Sequence, residues 1–434
     1  TGYIKAIVGG RGEKETSLSL NRATHSPRQP GSCFKVLAAF APALDACDMS
    51  LATVYNDAPF NYSNGRPVQN WYKSYWGLNT IRHAIEQSMN IVAVRAITDV
   101  TPELAYEYLL NFGFTTLVGE DDADNYGGAN DVTQATALGG LTQGVSVLEQ
   151  TAAYATIANG GTYYEPMFYS VVYDHDGNVL LDNSEQETHR VLKETTAFLL
   201  TDMMRDVITK GTGTKAAISG MNVAGKTGTT NDTVDLTFYG YTPYYTAGIW
   251  MGYDSQKEII NANNAHLRIW SSVMSQIHYD KGLKNKEFKK PDGLTTRSIC
   301  SASGMTPSSL CNSDYYGYGV TSDYVTTDFK GSTGGGTCTM HKSYTICSET
   351  GKLAGATCPT MNVVLAVNSD GTIKGKPSKV PAGKLDINIS ATCDSAHASS
   401  SDDDTNSTDP GTTDPGNGQN PEDNLWNNED FGIQ

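Results

Sequence analysis

Three short motifs, far apart in the chain, must converge if any of them is to work: Ser32-Cys33-Phe34-Lys35, Ser88-Met89-Asn90 and Lys226-Thr227-Gly228. Together they supply a hydroxyl nucleophile, two amines to hold or remove protons, a second hydroxyl and an amide. That set can acylate a serine without a histidine. It requires a fold that brings one helix start, one helix break and one strand to a common cleft.

A serine hydroxyl is a poor nucleophile near neutrality and needs an adjacent base. Lys35 follows Ser32 by three residues, so on a helix the two share a face about one turn apart. Pro30-Gly31 ahead of Ser32, and the apolar run Phe34 to Phe40, read as a loop breaking into a buried helix. Ser32 then stands at the helix start, where free backbone N–H groups favour developing negative charge. Lys35 acts as a base only if burial or a neighbouring cation strips its proton, and Lys226 is the obvious cation. Two such amines titrate as a coupled pair. Ser88 can relay a proton between Lys35 and a leaving amine, and the Asn90 amide can bind a substrate amide. Lys226 and Thr227 can hold a carboxylate, Gly228 lets an extended ligand lie close to a strand edge, and the Thr229 N–H can join that of Ser32 as an oxyanion hole. Taken singly, Lys35 is a solvated helix lysine, Ser88 a cap and Gly228 a turn glycine. Their order and conjunction override those readings.

The agreement extends along most of the chain. Asn21-Arg22-Ala23-Thr24, Arg28-Gln29-Pro30-Gly31-Ser32, Ser88 to Arg95, Gly139 to Ser146, Ala158-Asn159-Gly160-Gly161, Ala224 to Thr230 and Trp250-Met251-Gly252-Tyr253 together resemble the transpeptidase region of class A (bifunctional) penicillin-binding proteins over about residues 1 to 290. The resemblance implies an α/β fold of the penicillin-binding protein and serine β-lactamase type, a sheet flanked by helices. It implies Ser32 as acylated nucleophile, Lys35 as its base, Ser88, Asn90 and Lys226 as catalytic partners, and Thr227, Gly228 and Thr229 as substrate-binding residues. Peptidoglycan stem peptides ending in D-Ala-D-Ala would be the substrate, β-lactams the mimics that acylate Ser32, and no cofactor and no catalytic metal is called for. Two departures bear on cleft shape: Cys33 stands where a small or hydroxylated residue is usual, and Leu236-Thr237 where an Ala-Trp-like pair is common. Thr1 enters the family pattern midway. A glycosyltransferase domain and membrane anchor are therefore expected upstream, with this chain an extracytoplasmic fragment. The alternatives are a D,D-carboxypeptidase or β-lactamase, and a non-catalytic penicillin-sensing domain.

At 434 residues the chain has ample length for a large domain with additions, and its net charge of −16 argues against nucleic acid as a partner. Nine of the acids fall in residues 401 to 434, which hold no Lys or Arg; without them the charge is −7. We expect a catalytic domain over 1–290, a small cysteine-bearing appendage over 291–394 and a disordered acidic tail over 395–434. No apolar run approaches the roughly 20 residues of a membrane helix. Six of eight cysteines follow residue 299. In an oxidising compartment disulfides are preferred, Cys300–Cys311 first and Cys347–Cys358 second, over a zinc site on Cys338, His341 and Cys347. Cys33 and Cys47 read as small buried apolar residues.

Hydrophobic patterning predicts a strand at Tyr3–Val8, helices over 32–45, 78–98 (broken near Ser88), 102–110, 146–159 and 194–209, a hairpin turning at Asp176-Gly177, two or three adjacent strands over 223–251, and a strand pair within 362–389.

Overall fold

From Cys33 to Ala41 every residue is fully buried, so the helix that begins at Ser32 runs through the centre of the core. A helix that is apolar all round belongs there. The computed structural model describes residues 2–14, 16–330, 336–377, 380, 382–395 and 397. The Ser32 helix opens with a tight turn, Gly31–Cys33, widens over Lys35–Phe40 and becomes regular over Ala41–Ala46. Pro42 explains the widening. It donates no hydrogen bond and its ring excludes the carbonyl four residues back, so the preceding turns open and the Ala41 N–H reaches Val36 O instead.

The next elements frame Ser88. Strand β1 (Val54–Asp57) pairs antiparallel with β2 (Gly77–Thr80), and Thr80 caps helix α1 (Ile81–Glu86). The expected helix over 78–98 is therefore a strand and two helices. Its break is where the sequence places it, with Ser88 left-handed at φ 55° between α1 and α2 (Asn90–Val100). Helix α3 (Pro102–Asn111) and α2 pack on the Ser32 helix. Helix α4 (Val147–Ala158) starts with a reciprocal cap between Ser146 and Glu149. The hairpin β3 (Val171–Tyr173) and β4 (Val179–Asp182) follows, then α5 (Glu194–Thr209), each where periodicity predicts it.

Strands β5 (Ala224–Thr229), β6 (Asp235–Tyr241) and β7 (Thr246–Gly252) form an antiparallel sheet in that order. Every residue of β6 is buried, because α4, α5 and α6 (Ala265–Asp280) pack around the sheet. Strand β5 is an edge of this sheet, and its flank meets the Gly31–Cys33 turn. This is the expected α/β arrangement. The N-terminal strand is not formed: Tyr3 makes a single bridge to Met167, and Val8 is exposed. Its weak alternation offers no face to bury.

Further along, β8 (Leu294–Cys300) pairs with β9 (Val320–Thr326), and a second sheet has the order β12–β10–β11–β13, from β10 (His341–Cys347), β11 (Lys352–Leu353), β12 (Thr360–Ala366) and β13 (Asn388–Thr392). The strand pair expected within 362–389 is not one: β12 and β13 occupy opposite edges, because β10 and β11 lie between them. The disulfides are also absent. All eight cysteines are free thiols, since Cys300 and Cys311 gather with a third thiol, and Cys347 and Cys358 with another. Nor do Cys338, His341 and Cys347 form one site, for His341 and Cys347 stand at opposite ends of β10. Cys33 is buried as expected, Cys47 only partly. Of the tail expected over 395–434, Ser395 and His397 are described, and 396 and 398–434 lie outside the described residues.

These C-terminal strands are fixed to the rest by Arg82. Its guanidinium binds Asp323 of β9 with two nitrogens (2.8 and 2.6 Å), and Asp206 (2.8 Å) and Asp202 (2.6 Å) of α5. Replacing it leaves Asp323 without a cation and leaves Asp202 and Asp206 with only the longer contacts to Arg205 (3.7 Å) and Lys210 (3.6 Å). We expect Arg82→Ala to cost on the order of 3 kcal/mol in urea denaturation, and Arg82→Lys to recover little because an ammonium lacks the bidentate fork. A loss below about 1 kcal/mol would show that these pairs are effectively solvated.

Candidate active site

The Ser32 turn sits against β5 at backbone distance, and two glycines allow it. Gly31 has φ +57°, and a Cβ there would meet the Thr229 backbone at 2.9 Å. A Cβ on Gly228 would run into Thr237 Oγ1 and the Pro30 carbonyl. The glycine of the third motif thus makes room for the protein's own Ser32 turn. Thr237 Oγ1 in turn donates to Pro30 O (3.1 Å) and contacts Cys33 Sγ (3.4 Å), while Cys33 Sγ donates to Lys226 O (3.1 Å). The two sequence departures therefore touch each other. Burial pushes the Cys33 thiol up to about 11, so it is a packing group, not a competing nucleophile.

Ser32 is half-buried at the helix start, and Lys35 fully buried one turn on. Lys35 Nζ donates to Ser88 O (2.6 Å) and Asn90 Oδ1 (2.6 Å) and lies 3.1 Å from Ser88 Oγ. None of these bonds goes to Ser32. From the other side, Lys226 Nζ donates to Ser88 Oγ (2.9 Å) and Thr227 O (2.9 Å). One hydroxyl thus bridges two buried amines.

That arrangement assigns protons. Burial, and secondarily the Lys226 charge, hold Lys35 well below an ordinary lysine's 10.5. Burial lowers Lys226 to about 8. A Lys226 ammonium donating to Ser88 Oγ leaves the Ser88 proton free to point at Lys35, and a neutral Lys35 can accept it. Ser88 serves this bridge from a left-handed backbone that glycine would adopt at less cost, a strain of about 1 kcal/mol or more that the hydroxyl justifies.

Asn90 is held from both ends: its Nδ2 donates to Gln69 O (2.7 Å) and its Oδ1 accepts from Lys35. Sequence reasoning missed Asn70, whose Oδ1 accepts from the N–H groups of Asn90 (3.0 Å) and Ile91 (3.2 Å) while its Nδ2 binds Asp57 (2.6 Å). Met89 precedes α2 and cannot cap it, so an outside acceptor was required; which one could not be read from spacing. Thr212 was missed likewise; it pairs hydroxyls with Thr227 (2.8 Å). Thr229 is exposed, its backbone facing Gly31. The site thus joins Lys35, Ser88, Asn90, Lys226 and Thr227 in one hydrogen-bonded network, with Ser32, Gly228 and Thr229 packed beside it.

Among known families, the transpeptidase domain of penicillin binding proteins matches residues 1–264. Penicillin-binding protein 1A of Clostridium tetani is 35% identical over 331 residues, 72% of this chain and 41% of that protein. Penicillin-binding protein 1A/1B of Bacillus subtilis is 30% identical, covering 71% of this chain and 34% of its own length. The chain therefore spans about two fifths or less of these two relatives. In fold it is similar to penicillin-binding protein 1A of Haemophilus influenzae (TM-score 0.58, 23% identity, 71% of this chain and 49% of the other). A second match is PonA1 of Mycobacterium tuberculosis in complex with penicillin V (0.56, 24%, 64% and 75%).

A buried base with a lowered pKa binds fewer protons folded than unfolded, so its cost to stability shrinks as pH rises toward the unfolded value. Urea midpoints of the wild type should accordingly gain on those of Lys35→Met as pH rises toward the ordinary lysine value of 10.5. A difference independent of pH would mean that Lys35 keeps its proton in the folded protein.

Proposed function

The chain belongs to the penicillin-binding protein transpeptidase family, and on that premise we propose that it is a serine D,D-transpeptidase cross-linking peptidoglycan stem peptides through an acyl-enzyme on Ser32. The observation that carries the proposal is the Lys35–Ser88–Lys226 chain, with one amine driven toward neutrality and a hydroxyl between it and a cation. Neutral Lys35 takes the Ser32 proton as Oγ attacks the carbonyl of the penultimate D-Ala. The N–H groups of Ser32 and Thr229 stabilise the tetrahedral oxyanion. Lys226 and Thr227 hold the terminal carboxylate, and the second Nδ2 hydrogen of Asn90 binds a stem-peptide amide. Ser88 passes the proton from Lys35 to the departing D-Ala amine. In the second half, an amine of a neighbouring strand attacks the ester and returns a proton along the same path, restoring Ser32.

β-Lactams enter the same cycle as mimics of the D-Ala-D-Ala end and stop at the ester. The substrate places the domain outside the cytoplasm, and among the described residues no helix is long and apolar enough to cross a membrane. We assign the catalytic domain to 1–290, with 291–394 as an appendage and 395–434 as an acidic tail.

Intact-mass spectrometry after incubation with a penicillin tests the assignment. A stable single adduct on the Ser32 peptide is expected, lost in Ser32→Ala and formed about 10²–10⁴-fold more slowly in Lys35→Ala. Full labelling of Ser32→Ala would remove the nucleophile, and rapid drug turnover would make the protein a hydrolase. The acylation rate should follow a bell in pH, climbing as Lys35 loses its proton and declining around pH 8 as Lys226 loses its own.

A further inference from the structure

Outside the catalytic cleft, six of the eight cysteines and two histidines fall into two sets of the same composition. Cys300, Cys311, Cys338 and His341 form one. Cys347, Cys358, Cys393 and His397 form the other, and in each set all four ligand atoms lie within 4.8 Å of one another. We propose that residues 294–397 hold two structural zinc ions, one in each Cys3His set.

Thiol arithmetic excludes a purely disulfide account. Each set has three sulfurs, so pairing within a set strands one thiol. The two stranded thiols could not pair with each other, because the sets sit at opposite ends of β10, which spans about 20 Å. A fourth ligand of the right kind completes each set. His341 Nδ1 is 3.6 Å from Cys300 Sγ and 3.4 Å from Cys338 Sγ. His397 Nε2 is 3.3 Å from both Cys347 Sγ and Cys393 Sγ. Tetrahedral zinc with its usual S and N bond lengths sets neighbouring ligand atoms roughly 3.5–3.8 Å apart.

Each imidazole is also oriented as a metal ligand is. Its other nitrogen faces a carboxylate: His341 Nε2 lies 3.3 Å from Asp314 Oδ2, and His397 Nδ1 2.9 Å from Glu349 Oε2. Such a partner fixes the tautomer, leaving the inward nitrogen's lone pair for the ion.

The two sets repeat one local design. Cys300-Ser301-Ala302-Ser303-Gly304 and Cys347-Ser348-Glu349-Thr350-Gly351 share the pattern Cys-Ser-x-Ser/Thr-Gly, and a second cysteine follows eleven residues after the first in both. Each first cysteine ends a strand. Gly304 (φ +72°) and Gly351 (φ +70°) then turn the chain, their N–H groups bonding back to Cys300 O (2.8 Å) and Cys347 O (2.9 Å). Each second cysteine accepts a backbone N–H three residues earlier: Ser308 N to Cys311 Sγ, and Gly355 N to Cys358 Sγ, both 3.2 Å. Those bonds stabilise thiolate. On binding, three thiols release their protons to solvent and three thiolates with one neutral imidazole close the coordination shell, giving a net charge of −1 at each site. With no open position, the ions serve structure.

The test is made on the purified full chain, prepared without chelator, desalted, and measured by inductively coupled plasma mass spectrometry. A parallel sample is alkylated in denaturant without reductant and weighed intact. Two zinc ions per chain and eight alkylated cysteines are expected, with one ion in Cys338→Ser or Cys393→Ser and none in the double variant. If a variant does not fold, titration of wild-type thiols with a mercurial should release one zinc for every three thiols blocked. Masses showing disulfides without metal, or a zinc count unmoved by either substitution, overturn the proposal. Penicillin labelling of Ser32, read separately on the same samples, reports on the catalytic assignment.

Discussion

Two lysine side chains buried on either side of a single hydroxyl are the constraint around which this protein is arranged. Neither amine can be placed there without displacing water from a charge, and two charges so close would oppose each other. The conflict is resolved by letting one amine stay neutral and the other charged, with Ser88 between them to accept from one and donate to the other. The buried helix supplies Lys35, the edge strand supplies Lys226, and the strained turn between two helices supplies Ser88. Asn70 and Asp57 hold that turn from outside.

Close packing then follows. A turn that must bring Ser32 to an edge strand cannot tolerate side chains between the two backbones, which is why Gly31 and Gly228 face each other's chain. Cys33 and Thr237 fill the remaining space as a matched pair, and the burial that makes Cys33 inert also keeps Lys226 dry. Substituting one without the other would leave a gap or an overlap beside the strand.

Much of this was legible in the sequence. The Ser32 helix, the break at Ser88, the long amphipathic helix at 194–209 and the strands around Lys226 announce themselves by period and punctuation. What stayed hidden depended on distant partners. Asn70 caps a helix it does not belong to, Thr212 meets Thr227 across two elements, and Pro42 reshapes a helix whose apolar pattern looks regular. The cysteines misled for the same reason. Neighbours in sequence invited pairing in twos, whereas the fold adds to each pair a third thiol and a histidine from much farther along. A sequence shows spacing along the chain; it does not show which ends of a sheet coincide.

The Arg82 junction bears on where this molecule can be cut. The matched transpeptidase domain stops at residue 264, yet Leu294 belongs to the main core, Tyr324 packs edge-on against Phe198, and Tyr318 bonds the backbone of Leu78, just ahead of the helix that leads to Ser88. The edge of the matched domain and the edge of the packed core are thus different residues. A protein trimmed to the first would expose the back of β2 and lose the anchor of α1, loosening the catalytic turn from behind while every motif residue remained in place.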